Sequence, residues 1–185
     1  MKTHLYLTLA LGLLTMCGKK EAPDAGLPAA TQNGANTGGC LINGERFVAT
    51  GWGGGLLSNP IPPLSGGFSF DSVYILRLYG QHQGRNTTVM LFFHSQQPGT
   101  YLLNQNTQYY PQTTHRYALN HATYGQDGAG SEVYVTSAQR TGQVVLTYAD
   151  VNRGIGAGTF EFTAASTLDR TKTVTITSGR FDRKQ

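Results

Sequence analysis

The 185-residue chain carries 14 Lys and Arg against 10 Asp and Glu, a formal net charge of +4, with 24 glycines, 7 prolines and 2 cysteines. The basic residues are scattered, with no Lys/Arg cluster to track a phosphate backbone, which sets nucleic-acid binding aside. The length suits one cored domain behind an N-terminal leader.

The leader comes first in chain order. Lys2 supplies a positive charge, residues 5–14 an apolar stretch, and polarity returns at Gly18-Lys19-Lys20. This is the n-region, h-region and cleavage zone of an export signal, and it is shorter than the roughly 20 apolar residues a transmembrane helix needs. The stretch Leu14-Thr15-Met16-Cys17 resembles a relaxed bacterial lipobox. That resemblance implies cleavage before Cys17, diacylation of its thiol with chains such as palmitate, and acylation of the new amino group. An ordinary signal peptide and a Cys17–Cys40 disulfide are the competing readings. Two or three acyl chains hold a protein durably where one does not, so the membrane is the expected partner through Cys17. Residues 17–38 have the Ala, Gly, Pro, Asn and Thr composition of a flexible tether, and the folded domain is expected over 39–185. Cys40, left unpaired if Cys17 is acylated, is expected to be buried as a small hydrophobe.

From Gly39 onward, period-two patterns alternate with turn signals, and no helix is indicated. Asn43-Gly44 within CLINGERFV predicts a two-residue hairpin. GWGGGLLSNPIPPLSGG reads as a long irregular loop. FSFDSVYILRLYG and TTVMLFFHS, the most apolar runs, read as central strands joined by a turn at QHQGRN. GTYLLN is a shorter strand, TQYYPQTTH a polar connection, and RYALNHATY, SEVYVTSA and QVVLTYADV three further strands. GTFEFTA and KTVTITSGRFD alternate cleanly between apolar and polar faces, as half-buried antiparallel strands do. The fold class predicted is all-β, a single antiparallel sandwich or barrel-like domain of about nine or ten strands.

ATQNGANTGGCLINGERF, together with GTFEFTA and KTVTITSGRFD at the far end, resembles a family of uncharacterised Bacteroidota-type envelope lipoproteins carrying a domain of unknown function. The resemblance covers the opening hairpin, the closing strand pair, the tether and the lipobox, and leaves out residues 51–150. It implies a membrane-anchored protein of the cell envelope, in the outer membrane and facing periplasm or exterior, and it implies no reaction.

Chemistry-bearing motifs are sparse. His115 and His121 would stand about 20 Å apart on an extended strand, and His82 and His94 at opposite ends of a hairpin, so the histidines read as satisfied or exposed singly rather than as a metal site. ADVNRG and GQDGAGSE lack the remaining ligands of a calcium loop and read as polar turns. GIGAG, residues 154–158, precedes a strand rather than a helix and reads as a turn or bulge. Nucleophile-elbow, zincin and Ser-x-x-Lys motifs do not occur, so no catalytic residue, metal or cofactor is assigned, although an active site can assemble from distant residues.

The one surface-like enrichment is Tyr109 and Tyr110 beside Gln108 and Asn106, a tyrosine-and-amide grouping of the kind that grips uncharged polar ligands. The alternative is that these tyrosines plug strand ends. The expected function is a monomeric binding or interaction module with a glycan or protein partner in the envelope. The alternatives are a lipocalin-like carrier of an apolar ligand and a hydrolase on a β scaffold.

Overall fold

The structure, a computed structural model, describes residues 26–54, 59–69, 72–106, 119–128 and 130–185. Eleven strands are present among them: β1 (Thr37–Ile42), β2 (Glu45–Val48), β3 (Leu64–Ser69), β4 (Val73–His82), β5 (Arg85–His94), β6 (Gly99–Leu102), β7 (His121–Gln126), β8 (Val133–Val135), β9 (Gly142–Asp150), β10 (Ile155–Ser166) and β11 (Thr173–Lys184). All pairings are antiparallel, and nine strands follow one another in the order β2-β1-β11-β10-β8-β7-β5-β4-β3, curled into a half-barrel. β9 joins β10 beside this path and carries β6 on its other edge.

Local chemistry explains the turns. Asn43 and Gly44 both have positive φ, 49° and 86°, and so do Gln83 and Gly84, 52° and 72°. Positive φ at both central residues is what a two-residue turn needs to match the twist of its strands. Asn43 also accepts the Thr175 N–H through Oδ1 at 2.9 Å, fastening the β1–β2 turn to β11. At the far end of β9, the Arg153 N–H donates to Asp150 Oδ1 at 2.9 Å and closes the turn over residues 151–154.

The first apolar run differs from the sequence reading: FSFDSVYILRLYG, read as one central strand, is divided between β3, which ends at Ser69 on the edge of the sheet, and β4, which starts at Val73. SGG of the predicted loop belongs to β3, paired with β4 from Leu64↔Leu78 to Ser69↔Val73. GIGAG, read as a turn or bulge, lies mostly inside β10 and carries a bulge-like register shift against β9 at Ala157/Gly158. Its glycines also answer a packing need: a Cβ on Gly156 would stand 2.6 Å from the Tyr74 hydroxyl oxygen, and one on Gly158 would stand 2.2 Å from the Val145 carbonyl oxygen.

Side chains fill the concave face. Tyr74, fully buried, lies 4.8 Å from Phe68 and 5.2 Å from Phe93 between ring centroids, and Phe93 stacks on Tyr101 at 5.0 Å. Leu76, Leu78, Leu91 and Ile176 continue the same cluster. Cys40 is buried there without a disulfide, and burial pushes its thiol far up from the ordinary range.

Residues 26–36, read from composition as tether, lie against the convex side of β1 and β11. Asp182, only 1% exposed, accepts four hydrogen bonds from this strap: from the Thr31 hydroxyl at 2.6 Å and from the N–H groups of Asn33, Gly34 and Ala35 at 3.1, 2.8 and 3.1 Å. Leu27 is buried beneath it. Gly and Asn serve here as turn residues that aim successive N–H groups at one carboxylate, so linker composition hid an ordered strap.

Candidate binding site

Along each strand of a curled sheet, alternate residues face the interior. Followed toward the end of the half-barrel that holds the β1–β2, β4–β5 and β10–β11 turns, the inward positions change from apolar to polar. Phe47 is succeeded by Glu45 on β2. Leu78 and Gly80 give way to His82 on β4. Val89 and Thr87 precede Arg85 on β5. Ala122 and Tyr124 lead to Gln126 on β7, and Tyr134 of β8 is preceded by Glu132. Of these, Glu45, His82, Arg85, Tyr124, Gln126, Glu132 and Tyr134, together with Gln83 and Thr173, line a cleft of about 350 Å3 whose lining also includes the buried Ile42 and Val174. It is the mouth of the half-barrel.

His82 is the least ordinary group in it. The side chain is 7% exposed. Nε2 has Glu45 Oε2 as its neighbour at 3.2 Å, while Nδ1 finds no hydrogen-bond partner. Buried polar groups are nearly always paired, and leaving one unpaired costs about 1–3 kcal/mol. His82, read from sequence as a satisfied or exposed single histidine, is thus contacted on one ring nitrogen and open on the other. His121 is buried with Nδ1 2.6 Å from the Leu119 carbonyl oxygen. His94 is exposed and sits at the other end of the β4–β5 hairpin from His82, while His115 lies outside the described residues.

The remaining polar groups are held in place by named partners. Glu45 Oε2 accepts the Gln83 amide at 2.8 Å. Gln126 Nε2 donates to the His82 carbonyl and to the Thr87 hydroxyl, both at 3.2 Å. Arg85 Nε donates to the Asp127 carbonyl at 3.1 Å. Glu132 accepts from the Ser166 hydroxyl on one oxygen and from the Tyr134 hydroxyl at 3.0 Å on the other, with Lys172 Nζ 3.7 Å away. The Ser166 bond, then that from Tyr134, holds the Glu132 carboxyl below its usual range, so it is ionised at neutral pH. Burial, followed by the Glu132 bond, raises the Tyr134 hydroxyl, and burial pushes Tyr124 up to about 12. Both tyrosines are neutral donors. Their rings meet edge to face at 5.7 Å.

The mouth therefore offers two carboxylates, a guanidinium, amides, phenol hydroxyls and an imidazole with one open nitrogen, closed at its base by buried Ile42 and Val174. Among the described residues no three His, Cys, Asp or Glu side chains converge as a metal site would require.

The family described as Domain of unknown function (DUF6252) matches residues 64–183. The chain belongs to that family. The DUF6252 match takes in the closing strand pair β10–β11, where the sequence resemblance also lay, and most of residues 51–150, where it offered none; it starts after the β1–β2 hairpin. No curated protein and no solved structure matches the chain. Within the DUF6252 span lie His82, Arg85, Gln126 and Glu132, whereas Glu45 is contributed from outside it.

Of the binding residues expected from sequence, Tyr109, Tyr110 and Gln108 lie outside the described residues, as does Cys17. Asn106 is exposed and accepts the Ala138 N–H through Oδ1 at 3.3 Å, which ties the chain after β6 to the β8–β9 turn, away from the mouth. The mouth residues escaped notice because they come in short groups, around 45, 82–85, 124–126, 132–134 and 173–174, that only the fold brings together. A usable signal was present: strand after strand spends its last inward position on a polar side chain.

Proposed function

We propose that this DUF6252 protein is a Bacteroidota-type lipoprotein of the cell envelope, held by acyl chains on Cys17, whose half-barrel binds a small polar ligand at its mouth. The observation that carries the binding half is the ring of inward-facing polar residues around buried His82, whose Nδ1 has no hydrogen-bond partner. Mouths of β-barrels are recurrent ligand sites, apolar at the base with a few fixed polar groups. An apolar cargo inside the barrel is disfavoured by the packed rings of Tyr74, Phe93 and Phe181 that occupy that space.

The anchoring half rests on the Lys2, apolar-run and Cys17 pattern. Gly26 leaves the strap beside Arg46, whose Nη1 lies 3.4 Å from the Gly26 carbonyl oxygen, one residue from Glu45 of the mouth. Residues 18–25 separate Cys17 from that point, a contour of about 30 Å at most at 3.3–3.6 Å per residue. An acylated Cys17 would hold the mouth end close to the bilayer surface.

Two measurements test the two halves. Cys17→Ser should abolish labelled palmitate incorporation and move the protein out of the membrane fraction; unchanged labelling contradicts the anchor. Thermal melting against a panel of sugars, dipeptides, polyamines and small carboxylates should show one class that raises Tm. A rise that persists in His82→Phe would place the ligand elsewhere.

A further inference from the structure

Resting on the mouth as the binding site, we infer that its ligand is a neutral, hydroxyl-rich saccharide of one or two rings. Charge selects the class first. Glu45 and Glu132 would repel an anion, and Arg85, with Lys172 3.7 Å from Glu132, would repel a cation. A neutral polyol profits from both signs, because each hydroxyl donates and accepts. A pair of adjacent hydroxyls can donate to a carboxylate while accepting from a guanidinium or amide, and hydrogen bonds to ionised groups are the stronger kind.

Buried His82 points the same way. Its Nε2 faces Glu45 Oε2 at 3.2 Å but its Nδ1 has no hydrogen-bond partner, and a sugar hydroxyl can serve that nitrogen whether or not it carries the proton. The third element is the floor. Ile42 and Val174 close the base at 1% and 3% exposed, and the half-buried Tyr134 ring, edge to face with Tyr124 at 5.7 Å, leaves one aromatic edge with a polar tip for a sugar C–H group. Size sets the limit. A cleft of about 350 Å3 lies at the small end of the range of about 300–1,000 Å3 typical of ligand sites, which suits one or two rings and not a polymer chain lying flat.

The test is calorimetric titration of the folded protein with N-acetylglucosamine, chitobiose, cellobiose and maltose, with glycylglycine, spermidine and citrate as charged comparators. At least one saccharide should bind, and Glu45→Gln should weaken it about fivefold or more, the worth of one hydrogen bond of about 1 kcal/mol. Glu45 is 59% exposed, so that variant should melt as the wild type does. Binding of a charged comparator at the mouth, with no saccharide bound, overturns the ligand class and leaves the mouth as the site. Absence of binding by any probe overturns both. Saccharide binding indifferent to Glu45→Gln and to His82→Phe also overturns the inference, by placing the sugar elsewhere.

Discussion

Replacing Asp182 by alanine removes the acceptor that the strap closes on. Three backbone N–H groups and one hydroxyl lose their partner at once. Hydrogen bonds to a charged group contribute about 1.5–3 kcal/mol each, but the four cannot simply be added, because a released strap regains water and chain freedom. Ordering the backbone costs about 1–2 kcal/mol per residue. The loss is therefore bounded by the net docking free energy of residues 26–36, which includes about 1.5–3 kcal/mol for burying Leu27. A drop of about 2–4 kcal/mol is expected, or roughly 5–15 °C in Tm for a domain of this size. Thermal melting of Asp182→Ala and of a chain starting at Gly39, alone and combined, is the assay. Because both changes remove the same interaction, their effects should be far from additive. Full additivity, or a chain from Gly39 that melts like the wild type, would refute the strap's role and restore residues 17–38 as a tether throughout.

Other expectations follow from the same packing. Burial of Asp182 raises its carboxyl, but the bonds from Thr31, Ala35, Gly34 and Asn33 outweigh it and hold the group below the usual range. Its stabilising contribution is thus complete above the unfolded value of about 3.9 and is lost as pH falls through the folded value. Acid titration of Tm should show a loss that Asp182→Asn lacks. Gly156→Ala should cost about 1–3 kcal/mol by overpacking, since the new methyl meets the Tyr74 hydroxyl at 2.6 Å; an unchanged melting curve would mean that Tyr74 yields freely. In the Cys17→Ser protein, Cys40 should resist alkylation until the domain unfolds, because thiolate is the reactive form and burial suppresses it.

What could be read from sequence was what depends on near neighbours. The Asn43-Gly44 and Gln83-Gly84 turns, the Phe160/Phe162 and Val174/Ile176 alternation and the all-β class are local, and each appears in the structure. Where a residue's role is set by something distant, the reading failed. A bulge at GIGAG was legible, but not that Gly156 makes room for Tyr74, 82 positions away, whose hydroxyl donates to its carbonyl at 3.4 Å. Asn33-Gly34 looks like linker until Asp182 is placed against it, 148 positions beyond Gly34. The mouth is the extreme case, since Glu45, His82, Gln126 and Glu132 come from four separate elements. Only inward parity at strand ends, not any motif, could have joined them.

The most direct test of the mouth as binding site is an amide chemical-shift footprint of the isotope-labelled protein, taken with the tightest-binding probe at saturation. Shifts should gather at residues 42–45, 82–85, 124–126, 132–134 and 173–174, and the His82 ring nitrogens should move with them. Shifts confined to the strap, to the base around Asp182 or to the outer face of β9 to β11, or no shifts with any probe, would contradict it.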